Sequence, residues 1–270
     1  MTVSTGTEVY NADTMAVTAR GTSFTDAELD AALRGAVSRI LWDDAGTARL
    51  EAILTSVVTT GFSDKSVRRV LSNRATPENW RVGEALAEAF LVEHRACEFP
   101  WPSRRDLKNP SASPAGTDLV GFQNTKAAEN AHRFAFGEVK TSEQEARPPG
   151  VMDGRDGLKK QLEDLRDSTE VKNALVIYLG HHANGTDWFP RYRSALARFL
   201  SDPGDVSLFG VLVRDVKPKR EDLAGPACDL AAGCPAATTI ELWAMYLPDK
   251  SINSLAQRAV KTRGGSHDQN

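Results

Sequence analysis

Gly116-Thr117-Asp118-Leu119-Val120-Gly121 and His132-Arg133-Phe134-Ala135-Phe136-Gly137-Glu138-Val139-Lys140-Thr141 read as two short strands, separated by a polar stretch suited to a hairpin loop. In the second, Phe134 and Phe136 alternate with smaller residues and the run ends in charge. Side chains alternate along a strand, so Glu138 and Lys140 project from one face and Val139 from the other. If the two strands pair, Asp118, Glu138 and Lys140 converge at one edge. Two carboxylates then offer the hard oxygen donors that suit Mg²⁺, with an ammonium beside the metal-bound water. Glu-x-Lys by itself is equally an ordinary pair on the exposed face of a surface hairpin.

Working outward, Thr76-Pro77-Glu78 predicts a helix start, with Thr76 as cap and Pro77 in the first turn, opening Asn79-Trp80-Arg81-Val82-Gly83-Glu84-Ala85-Leu86 and the residues beyond. Glu84 and Glu88 lie one turn apart beside its apolar side, so this helix can aim a carboxylate at a neighbouring sheet. Residues 98–116 are proline-rich and read as a long surface connection. A further helix is expected from about Asp156 through Leu158-Lys159-Lys160-Gln161-Leu162. Residues 171–180 suit a buried strand or a continued helix, since short apolar runs do not distinguish the two. Beyond them, 189–200 reads as a helix, 206–215 and 238–248 as strands, and 251–262 as a closing helix. Ahead of all this, residues 1–24 read as a loose arm or edge strand. One helix is expected from the Thr25 cap to Leu41, and another from Ala48 to Val58. The order implies an α/β or α+β layer structure, a mixed central sheet covered by helices. The expected divisions are an N-terminal arm and helical region over 1–75, a core with its sheet extension over 76–250, and a closing helix with a tail over 251–270.

The chain's 270 residues include 36 acidic and 33 basic side chains and are 41% hydrophobic, which excludes wholesale disorder. The net charge of −3 gives no global attraction to nucleic acid, so any such role must rest on local basic clusters. No apolar run is long enough to span a membrane and the N-terminus lacks a signal-peptide pattern, so a cytoplasmic protein is expected. Cys97, Cys228 and Cys234 are too few for a disulfide framework or a zinc site. Gly61-Phe62-Ser63-Asp64-Lys65-Ser66 is no phosphate loop, because Asp64 stands where a glycine must precede the lysine.

The Asp, the spacer and the Glu-x-Lys on adjacent strands resemble the PD-(D/E)xK nuclease superfamily. The proline that often precedes the Asp is displaced to Pro114. This resemblance covers roughly residues 76–168 and implies a restriction-endonuclease-like core. In it, Asp118, Glu138 and the Val139 carbonyl hold Mg²⁺, for which Mn²⁺ can substitute, and Lys140 is the catalytic lysine. The family's preceding helix often adds a Glu, which here is Glu84 as a metal ligand, with Glu88 as the rival. Its following helix often carries a polar residue, here Gln161, although Leu165 stands where a tyrosine would follow. Within the superfamily the order is similar to the nuclease subunits (HamA) of the two-component Hachiman antiphage system, which implies DNA as substrate and a separate helicase as partner. The alternative is a nuclease-like nucleic-acid-binding or assembly subunit whose cleavage is lost or suppressed.

Two basic clusters bracket the motif: Arg104, Arg105 and Lys108 before it, and Arg155, Lys159 and Lys160 after it. Their position favours phosphate contact, though solvated faces have the same composition. Lys217, Lys219 and Arg220 form a third group. His181 and His182 are expected in a loop, Cys228 and Cys234 in another, and His94 and Cys97 as packing residues.

Overall fold

Seven strands form one mixed sheet in a computed structural model that describes residues 3–56, 76–106, 116–125 and 131–264. They are β1 (Thr7–Asn11), β2 (Val17–Ser23), β3 (Cys97–Glu98), β4 (Leu119–Asn124), β5 (His132–Ser142), β6 (Val206–Arg214) and β7 (Thr239–Tyr246). Their order across the sheet is β1-β2-β7-β6-β5-β4-β3. The expected hairpin is there: β4 pairs antiparallel with β5, Leu119 opposite Gly137 and Phe122 opposite Phe134. β5, β6, β7 and β2 run parallel, which requires helical crossovers and buries the middle strands on both faces. All of β6 is accordingly buried.

The helices are α1 (Asp26–Arg34), α2 (Ala36–Leu41), α3 (Asp44–Ser56), α4 (Asn79–His94), α5 (Leu158–Asp167), α6 (Thr169–Ala183), α7 (Phe189–Ser201), α8 (Glu221–Ala231) and α9 (Leu255–Gly264). On one face of the sheet Val82, Leu86 and Phe90 of α4 share a core with Val139, Phe209 and Val211. On the other, Leu158 and Leu162 of α5, Leu179 of α6 and Phe199 of α7 pack with Phe122, Phe134, Phe136 and Leu208. The alternation in β5 therefore serves both cores: Phe134 and Phe136 face α5, while Ala135 and Val139 face α4.

Several local expectations change. Residues 1–24 are no loose arm, because β2 lies inside the sheet against β7 and only β1 is an edge. One sheet thus runs across the division expected near residue 75. Thr25 caps α1 through a capping box with Glu28, but the helix breaks at Gly35 and restarts as α2. Thr76 does not cap α4, which begins at Asn79 behind Glu78. Instead, Asn79 Oδ1 accepts the Ala256 amide at 2.9 Å and ties this helix start to α9.

The ambiguous run at 171–180 is helix. Ser168 caps it at the Val171 amide, and Lys172, Val176, Leu179 and Ala183 are buried at helical spacing. His181 and His182 end that helix instead of lying in a loop, and His182 stacks on Trp101 with ring centroids 4.0 Å apart. Cys228 also lies on a helix, α8, rather than in the expected loop. His94 and Cys97 are packing residues as expected, His94 against Phe90 and Val3 and Cys97 in the core.

Candidate active site

The antiparallel register brings Asp118, immediately before β4, to the part of β5 that carries Glu138. Asp118 Oδ2 accepts the Val139 amide at 2.8 Å, which fixes the carboxylate against the β5 backbone. Glu138 is only 2% exposed, and its carboxyl lies beside Asp118 and Thr117. Burial and the neighbouring Asp118 push Glu138 up to about 9. Burial also raises Asp118, against the opposing pull of the Val139 amide and the Lys140 ammonium. Two neighbouring carboxyls cannot readily both ionise in a desolvated site, and both members of the pair are raised.

Helix α4 supplies the third carboxyl. It approaches β5 at Gly83, where a Cβ would run into Thr141 Oγ1, and so delivers Glu84 to the strand end. Burial and then Asp118 raise Glu84 to about 7, while Arg81 and Lys140 pull it down. Arg81, three residues back on the same helix, forms a short ion pair with Glu84. Glu88, the rival, also titrates near 7 because of burial, but it responds to Arg81, Glu84 and Asp43, not to Asp118. Of the two helix carboxylates, Glu84 is the one coupled to the strand motif. Lys140 is half-buried and makes no ion pair among the described residues.

On the other face α5 crosses beside Glu138. Leu162 Cδ1 and Leu242 Cδ2 stand only 2.6 and 2.7 Å from where a Cβ on Gly210 would be, and Gly210 is the β6 partner of Glu138. Gln161 lies on this helix, and its Oε1 is buried without a hydrogen-bond partner. Glu138 Oε2 and Thr141 Oγ1 are likewise buried and unpartnered. Such orphans are costly, and a cation or a bound water is their usual satisfaction.

The basic clusters are less exposed to a ligand than their sequence position implies. Arg105 is locked onto Asp43 at 2.6 and 2.7 Å and lies over the Trp101 ring. Lys159 pairs with Asp229 at 3.0 Å and Lys160 with Asp164 at 2.6 Å. Arg155 is exposed. Lys108 and the Arg104 side chain lie outside the described residues, as do Pro114, the residue 61–66 motif and the expected tail.

Sequence reasoning missed Thr117, which stands beside the Glu138 carboxyl, and Arg81, which holds Glu84. The i, i+3 spacing from Arg81 to Glu84 was the available signal for the second. As the side chains stand, no group of three or more His, Cys, Asp or Glu among the described residues is arranged to hold a metal ion. The ready donor set is the Asp118–Glu138 pair, with Glu84 held back by Arg81. No protein-family model matches the chain, and no curated protein matches it either.

Proposed function

We propose that this protein is a Mg²⁺-dependent nuclease hydrolysing DNA phosphodiester bonds, with Asp118, Glu138, Lys140 and Glu84 as its working residues. The observation that carries this reading is the pairing of half-buried Asp118 with buried Glu138 and its orphan Oε2, beside a lysine on the same strand as Glu138 that makes no ion pair among the described residues. Oxygen donors that must share a proton when alone are suited to a divalent cation, which favours both ionised forms together. The strand order β3-β4-β5, the crossover to β6 and the helix carrying Glu84 agree with the restriction-endonuclease-like core implied by the sequence resemblance.

Asp118 and Glu138 would hold the ion with the Val139 carbonyl, and Glu84 would join once Arg81 lets it turn. Mg²⁺, when bound, supplies charge neutralisation at the scissile phosphate and a more acidic bound water. Asp118 is already oriented by the Val139 amide, so little reorganisation is required at that ligand. Lys140 donates hydrogen bonds to the attacking water or to a non-bridging phosphate oxygen and offsets charge building there. Gln161, on the opposite helix, offers its amide to the same region. Arg155 is exposed, whereas Lys159 and Lys160 would contact the backbone only by exchanging Asp229 and Asp164 for phosphates. Both pairs are solvent-exposed and screened by water and salt, so the exchange is energetically accessible.

A separate helicase as partner and a cytoplasmic location belong to the same reading. Among the described residues no helix is long and apolar enough to cross a membrane. The second reading, a nuclease-like subunit whose cleavage is suppressed, draws support from the Arg81–Glu84 ion pair, which keeps a carboxylate out of the donor set. Incubating plasmid and linear DNA with the protein in Mg²⁺, Mn²⁺ or EDTA, with and without a co-expressed helicase, tests both. Mg²⁺-dependent cleavage, by the chain alone or together with the helicase, supports the first, and DNA binding without cleavage in any arm supports the second. No cleavage in any arm rejects the nuclease assignment.

A further inference from the structure

A cleft of about 580 Å³ opens on the α4 side of the molecule, away from the strand motif. Its walls come from α2, the start of α3, the later turns of α4 and the residue 98–105 segment, and are mostly apolar: Ala36, Ile40, Ala89, Val92, Phe99 and Pro102. Small-molecule sites commonly have this size and this make-up, an apolar lining with a few placed polar groups.

The carboxylates around it are already engaged, with one exception. Asp43 holds Arg105 at 2.6 Å, Glu98 holds Arg191 at 2.6 Å and Asp44 holds Arg263 at 3.0 Å. Glu93 accepts the Val3 amide at 2.7 Å. Glu88 lines the cleft without a hydrogen bond or an ion pair among the described residues. Burial raises its pKa to about 7, so near neutrality it is poised to ionise for a partner that compensates the charge. A desolvated carboxyl amid apolar walls is complementary to a cationic group attached to an apolar body. Arg39, a cation of the lining with no ion pair among the described residues, is exposed and solvated at the rim, so it does not replace such a partner inside.

We propose that this cleft is a binding site for a small amphipathic organic cation, a primary amine or guanidinium on a short apolar chain, with Glu88 as its counter-ion. The inference is independent of DNA cleavage.

The probe is hexylammonium, titrated into the full chain and followed by two-dimensional amide NMR, with hexanol and hexanoate as matched controls. Hexylammonium should shift amides of α2, α4 and residues 99–102, and bind at least tenfold tighter than hexanol or hexanoate. Glu88→Gln should reduce that preference over hexanol to near unity. Val92→Trp, which fills the mouth from a 44% exposed position, should block all three ligands. Equal affinity of the wild-type protein for hexylammonium and hexanol would overturn the proposal without recourse to any variant. Unchanged hexylammonium binding in folded Glu88→Gln would overturn it too, as would shifts confined to surfaces outside the cleft.

Discussion

Glu138 is the residue at which chemistry and stability conflict most directly. Its carboxyl titrates near 9 in the folded protein against an ordinary value of 4.5, and Glu84 near 7, because both are buried beside Asp118. The native state therefore retains protons that the unfolded chain releases. The stabilisation from these groups is complete below about pH 4.5 and is lost as pH rises through 7 and then 9. In EDTA the melting temperature should fall between pH 6 and pH 9, and Glu138→Gln, which cannot ionise, should flatten the fall and melt higher than wild type at pH 9. Thermal scans across that range check the sign. Saturating Mg²⁺ should raise the wild-type melting temperature most at the alkaline end, where the ligands are already deprotonated. The Asp118, Glu138 and Lys140 grouping was legible in the sequence because strand alternation fixes which side chains share a face. Arg81 and Thr117 were not singled out, since their roles depend on where α4 and the Asp118 turn come to rest.

Among the elements, α4 decides whether the site is assembled. Gly83 lets the helix axis come close to β5, and any larger residue must displace Thr141 or the helix itself. Gly83→Ala should cost about 1–3 kcal/mol, the usual range for overpacking, and lower cleavage by moving Glu84. Thr141→Ala removes the colliding oxygen, so the double variant should recover much of both losses; equilibrium denaturation and initial rates measure this coupling. At α5, charge reversal at Lys159 and Lys160 should lower the slope of log affinity against log salt by roughly one unit for each phosphate no longer neutralised. An unchanged slope would leave the two lysines as partners of Asp229 and Asp164 only. The β4–β5 hairpin and α5 were legible because a period-2 pattern and an amphipathic period each occur there uninterrupted. The run at 171–180 was not, since its face contrast is small and only the Ser168 cap and the spacing of buried residues settle it as helix. Pro226 inside α8 hid that helix in the same way, since proline ordinarily marks a loop.

For the whole molecule, the N-terminal strands complete the sheet beside β7, a pairing between residues more than two hundred positions apart that no local pattern reveals. Parallel neighbours distant in sequence are set by tertiary packing, so their partners could not be read from the chain. A chain with a net charge of −3, and with its central lysines and arginines largely paired, has little long-range attraction for DNA. Delivery of DNA by a second protein follows from the proposed function. Co-expression with a helicase should yield a complex that survives size-exclusion chromatography, with cleavage dependent on ATP or on a particular DNA end. A monodisperse, fully active chain that ignores the helicase would leave a stand-alone nuclease. The central claim is that Asp118, Glu138 and Lys140 form a metal-dependent cleavage site. It is tested most directly by the initial rate of DNA cleavage in Mg²⁺ for the Glu138→Gln/Lys140→Ala double variant against wild type, both shown folded by circular dichroism and under whichever conditions the wild type cuts. The account predicts a loss of at least about a thousandfold, the combined scale of a removed metal ligand and a removed charge-stabilising group; cleavage by the folded double variant at the wild-type rate would contradict it.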